Sequence, residues 1–144
     1  MIRLIYTVAA LALALGLAGK CSAQAVIGLH VGSAHERGGY NNANPGVYVR
    51  SESGWTVGGY LNSYKRGSAY VGKAWSTDRW HGLSAAIAVG GITGYPQNTV
   101  MPFAAPSVAW HAAGGTGARL AIIPRPNAKG SGVIHLMIET NWSK

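Results

Sequence analysis

The sequence predicts an all-β protein, a small antiparallel up-and-down β-barrel of about eight strands, and three observations predict it. Glycine is abundant, 21 residues spread through the whole chain, while only 11% of residues are charged. That composition suits short strands joined by tight turns. Beyond the N-terminal segment, no run places apolar residues at helical spacing. Short apolar segments recur instead, each bounded by turn chemistry.

In order, the strands are expected over 26–32, 46–50, 55–61, 69–75, 83–90, 106–111, 119–123 and 133–138. The turn Asn41-Asn-Ala-Asn-Pro-Gly46 divides the first two, and a polar break at Asn62-Ser63 precedes the fourth. Such residues mark turns because short amide and hydroxyl side chains bond nearby backbone, and glycine and proline fix its direction. Eight antiparallel strands make either a two-sheet sandwich or a closed barrel that abolishes its own edges. Alternation favours the barrel. Over 82–90, even positions hold Gly82, Ser84, Ala86, Ala88 and Gly90, whereas Leu83, Ala85, Ile87 and Val89 take the odd ones. A small-residue face leaves room inside a narrow barrel. In the last strand His135 and Glu139 share a face with Val133 and Met137, so both are expected inside, where buried polar groups satisfy one another.

Residues 1–23 read as an export signal. Arg3 supplies the positive start, 4–18 the apolar run, and small residues the cleavage site, after Ala23 or Ala25. The run is shorter than the roughly 20 apolar residues of a membrane-spanning helix. Lys20 before Cys21 argues against lipid attachment there. Loss of the single cysteine with the signal leaves no disulfide or thiolate chemistry. Residues 24–144 are then one barrel domain. Trp55, Trp75, Trp80, Trp110 and Trp142 fall near strand ends, the place of aromatic girdles in outer-membrane barrels. Short strands and the ending Trp142-Ser-Lys144 fit the alternative, a soluble periplasmic barrel.

The whole chain carries 12 basic and 4 acidic residues; without Arg3 and Lys20, 10 basic against 4 acidic leave a net +6. The cations stand one or two at a time, at Arg37, Lys65, Arg66, Lys73, Arg79, Arg125 and Lys129 among others, many in turns. Phosphorylated lipid headgroups fit this pattern, and export argues against nucleic acid. A charge that merely aids solubility is the plainer reading.

The break Tyr60-Leu-Asn-Ser-Tyr64 places a hydroxyl and an amide at a strand end, beside Lys65 and Arg66. His30, on an early strand, supplies an imidazole. Their plain readings are a turn pair bonded to its own backbone and a packed histidine. The order of these features resembles the outer-membrane lipid A palmitoyltransferases. The likeness runs from Gly28-Leu-His-Val-Gly32 through Tyr40-Asn41 with its following Pro-Gly, Asn62-Ser63-Tyr64 and Tyr70-Val-Gly-Lys-Ala-Trp75. It continues through Trp80-His-Gly-Leu83, Gly91-Ile-Thr93 and the proline-punctuated 101–108.

The resemblance implies an eight-stranded barrel that moves an acyl chain from phospholipid to lipid A, with lipid entering sideways at proline-interrupted strand edges. Carried over by position, it makes His30 the base, Ser63 the catalytic hydroxyl and Asn62 a polarising partner. Arg66 and Tyr70 would meet the substrate. The family has Asp where this chain has Asn62, and an amide does not balance an imidazolium. A barrel that binds lipid or another apolar ligand without chemistry is therefore the alternative.

No cofactor motif appears. His30 and His35, five apart, would face opposite ways on a continuous strand, which argues against a metal site. Four carboxylates make a paired-acid hydrolase improbable. Membrane lipids are the expected partners, with no nucleic acid or metal, and a monomer is the expected state.

Overall fold

In the computed structural model, which describes residues 24–124 and 130–142, eight strands close on themselves in sequence order. They are β1 (Val26–His35), β2 (Ala43–Arg50), β3 (Trp55–Leu61), β4 (Gly67–Ser76), β5 (Leu83–Thr93), β6 (Val100–His111), β7 (Thr116–Ile123) and β8 (Val133–Asn141). Every neighbouring pair is antiparallel, and β1 pairing with β8 completes the barrel. The expected export signal, Arg125 and Lys129 lie outside the described residues.

All eight expected segments are strands, and most extend further than the sequence suggested. β2 runs through Pro45, and β6 begins six residues earlier than expected, through Pro102. Proline was read as a boundary because it has no N–H for the ladder. Here Pro102 sits where one side of the ladder is missing. The β6–β7 register runs only from Ser107↔Ala121 to His111↔Gly117, so residues 100–106 pair with β5 alone among the described residues.

The two faces differ as the alternation requires. Ile27, Leu29, Val47, Val49, Val57, Val71, Leu120, Ile134, Leu136 and Ile138 are exposed on the outer wall. Inside stand Tyr48, Arg50, His111, Arg119, His135 and Glu139, all buried. Water would ordinarily reverse this distribution. The narrow interior is filled by large rings laid over glycine: a Cβ on Gly28 would lie 2.2 Å from the Tyr48 ring.

Glu139, 1% exposed, anchors the half of the interior near the start of β1 and the end of β8. Arg119 meets it through two hydrogen bonds, Nε to Oε2 at 3.0 Å and Nη2 to Oε1 at 2.8 Å. Arg50 Nη2 lies 3.5 Å from Oε2, His111 Nε2 lies 2.9 Å from Oε1, and the Tyr48 hydroxyl donates to Oε2 at 2.5 Å. A carboxylate surrounded by this many donors is satisfied despite its burial.

One irregularity positions the site. The β1 register shifts between His30 and Gly32, with His30 opposite Met137 and Gly32 opposite Leu136, so Val31 is an extra residue. A β-bulge of this kind reverses the facing of everything beyond it. His30 faces inward before the bulge, and Ser33 and His35 face inward after it, opposite the inward His135 and Val133. The expectation that His30 and His35 face opposite ways is corrected by that single inserted residue.

Candidate active site at the far rim

The two rims of the barrel are unlike. The terminal rim holds the start of β1 and the end of β8, tied by Trp142 N–H donating to the Ala25 carbonyl at 2.7 Å, and the turns at 51–54, 77–82 and 112–115. The far rim holds the connections at 36–42, 62–66 and 94–99.

At the far rim the β3–β4 connection is a tight turn. Asn62 N–H donates to the Arg66 carbonyl at 2.8 Å, and Lys65 N–H to the Asn62 carbonyl at 3.0 Å. The Asn62 side chain holds it from within. Its Oδ1 accepts from the Tyr64 and Arg66 amides at 2.8 and 3.1 Å, and its Nδ2 donates to Ser68 Oγ and the Gly94 carbonyl at 3.0 and 2.9 Å. The residue is wholly buried. Both amide protons are committed to protein acceptors, so neither is aimed at a reacting carbonyl. Asn62 is a turn-former that fixes where Ser63 stands.

The β1–β2 connection is drawn over that turn. Asn41 N–H donates to the Ser63 carbonyl at 2.9 Å. Buried Asn44 accepts from Ser33 Oγ at 2.5 Å and donates to the Leu61 carbonyl at 2.9 Å, stitching β1, β2 and β3 together. These bonds bring three side chains into line. Ser63 Oγ lies 2.8 Å from His35 Nε2, and His35 Nδ1 lies 2.7 Å from Asn42 Oδ1. Oδ1 only accepts, so Nδ1 carries the proton and Nε2 is left as acceptor for the Ser63 hydroxyl. A hydroxyl, an imidazole in the basic tautomer and an orienting amide follow the order of a catalytic triad.

The partnership expected from the sequence, Ser63 with His30, is therefore replaced by Ser63 with His35. His30 lies deeper, with Nδ1 2.9 Å from His135 Nε2 and Nε2 2.9 Å from the Tyr70 hydroxyl. Tyr60 packs on the His30 ring at 4.8 Å between centroids. Both ring nitrogens are occupied by interior partners. Tyr70 faces the same interior rather than the rim, with Phe103 edge-on at 5.9 Å. Arg66 is exposed at the far rim, three positions from Ser63.

An aromatic collar surrounds the line. Tyr40 stacks on His35 at 4.8 Å, Tyr64 meets Tyr40 edge-on at 5.8 Å and Tyr95 at 5.9 Å, and the Tyr95 and Tyr60 hydroxyls are 3.1 Å apart. Tyr95 lies in the β5–β6 connection, where burial pushes its phenol above the ordinary value, so it stays neutral. Sequence reasoning missed Asn42 and His35 as site residues. The density of amides in 41–44, in the connection that follows His35, was the available signal. No protein-family model matches the chain, and no curated protein is significantly similar to it.

Proposed function

We propose that the protein is an outer-membrane enzyme of acyl-ester chemistry, transferring a fatty acyl chain from a phospholipid to lipid A. The observation that carries this reading is the Asn42–His35–Ser63 line at one rim of a barrel whose outer wall is apolar. A wall of exposed valine, leucine and isoleucine over a polar interior is the distribution a bilayer stabilises. It favours a membrane barrel over the soluble alternative. The rim of such a barrel meets lipid headgroups, where the ester bonds are.

The chemistry follows from the tautomer. Ser63 Oγ attacks the ester carbonyl carbon as its proton passes to His35 Nε2. The tetrahedral intermediate collapses, the C–O bond to the glycerol breaks, and His35 returns the proton to the departing alkoxide. An acceptor hydroxyl then gives its proton to Nε2 and attacks the acyl-Ser63 ester; the acyl C–O bond to Ser63 breaks and Nε2 returns the proton to Ser63 Oγ. Asn42 orients His35 throughout. Replacing the orienting Asp by Asn in a serine protease costs about 10⁴-fold in kcat through the wrong tautomer. Here Oδ1 faces Nδ1 and holds the productive tautomer, although the amide brings no charge to balance the imidazolium. The β6 edge at 100–106, which pairs with β5 alone among the described residues and carries Pro102 and Pro106, supplies a place for lipid to approach sideways, as the resemblance implies.

The test is mass spectrometry of lipid A from a Gram-negative host lacking its own palmitoyltransferase and expressing this chain. An added acyl mass that vanishes with Ser63→Ala and with His35→Gln supports the proposal. Unchanged lipid A, with the barrel folded in the envelope, contradicts it and favours a barrel that binds lipid without chemistry.

A further inference from the structure

The backbone of Lys65 is in the left-handed region, at φ 57°. That conformation crowds a Cβ against the backbone, so turns normally place glycine or asparagine there. Among the described residues, His81 is the other non-glycine at positive φ, at 49°, in the turn at the terminal rim. Histidine is enriched in that region; lysine is not. Lys65 is thus a residue of the wrong type for its backbone, in the turn that carries Ser63. Strain of this kind persists where its surroundings over-determine it, and it concentrates at functional sites.

The surroundings here do over-determine it. Bonds from Asn62 to the amides of Tyr64, Lys65 and Arg66 close the turn, leaving Lys65 no other backbone. The result is an exposed ammonium two residues from the Ser63 hydroxyl, next to the exposed guanidinium of Arg66. A glycine would relax the turn and give up the charge.

We propose that Lys65 is a specificity-determining residue: its ammonium binds a phosphate group on the lipid whose ester Ser63 attacks. The inference rests on the acyl-transfer reading for its reaction and goes beyond it in naming the chemistry that selects the donor. Lysine suits the task as a compact, strongly hydrated point charge. Tyr70, which the sequence nominated for substrate contact, has its hydroxyl 2.9 Å from His30 Nε2 inside the barrel rather than at the rim.

The experiment compares two lipids with identical acyl chains, phosphatidylglycerol and diacylglycerol, as acyl donors for the full chain refolded in detergent. Wild type and Lys65→Arg are expected to prefer phosphatidylglycerol. Lys65→Gly is expected to lose that preference, read as the ratio of the two rates, by about tenfold, while its denaturation midpoint does not fall. An unchanged preference in folded Lys65→Gly overturns the proposal. A parallel titration with short-chain phosphatidylglycerol, followed by the amide resonances of 62–66, reads binding without turnover. Wild type that binds and does not turn over defeats the acyl-transfer reading and leaves Lys65 standing as a headgroup contact. Binding undiminished in Lys65→Gly defeats Lys65 alone.

Discussion

The terminal rim and the far rim are built from different side chains. The five tryptophans, Trp55, Trp75, Trp80, Trp110 and Trp142, all lie at the terminal rim and all are exposed. The nearby interior is locked by Glu139 and its arginines. The far rim has no tryptophan among its described residues. It carries Tyr40, Tyr64 and Tyr95, the cations Lys65 and Arg66, and the Ser63–His35–Asn42 line. One end thus has the side chains of an interfacial belt, where an indole sits with its apolar body in lipid and its N–H in water. The other has a hydroxyl paired with an imidazole, and cations. On the proposed reading, anchoring and chemistry are separated by the height of the barrel, so each can be broken while the other stands.

Two changes at the far rim are expected to have the largest effects. Ser63→Ala removes the attacking hydroxyl, and acyl transfer should fall by about 10³-fold or more. The heat-modifiable gel mobility of the folded barrel should persist, because Ser63 contributes one part-buried hydrogen bond there. Deletion of Val31 should be as severe by another route. Removing the bulge reverses the facing of 32–35 and carries His35 to the outer wall. Activity should vanish, and a cysteine placed at position 35 should change from protected to lipid-accessible in labelling experiments.

The next effect belongs to the terminal half. Glu139→Ala leaves Arg50 and Arg119 buried without their shared carboxylate, and denaturant titration should show a loss of about 3–5 kcal/mol. Activity per folded molecule should change little. Asn42→Ala comes below this. A hydrogen bond to a charged imidazole contributes about 1.5–3 kcal/mol, so kcat should fall roughly 10- to 100-fold with stability unchanged. The smallest expected effect on activity is that of His30→Phe. It should cost about 1–3 kcal/mol of stability through the lost bonds to His135 and Tyr70, with activity within a factor of about 3.

Strand existence was legible because periodicity records burial directly. The small-residue face of Ser84, Ala86, Ala88 and Gly90 does face inward, as do His135 and Glu139. Strand ends were less legible, because Pro102 pairs on one side only among the described residues and Pro45 lies across from the β1 bulge, and a sequence does not record either. Ser63 was visible as the hydroxyl at a polar break. Its base was not. The choice between His30 and His35 turns on the bulge at Val31, a property of the register between β1 and β8 rather than of β1 itself. Asn62 was read through the resemblance as chemistry, whereas its four side-chain hydrogen bonds spend it on the turn.

The central claim is that Ser63 is a nucleophile activated by His35 and not by His30. The most direct measurement is reaction of the folded barrel with a long-chain alkyl fluorophosphonate, followed by peptide mass spectrometry. The account predicts a single phosphonyl adduct on Ser63, lost in His35→Gln and retained in His30→Gln. An unmodified Ser63 in the folded wild type, or labelling that depends on His30 instead of His35, would contradict it.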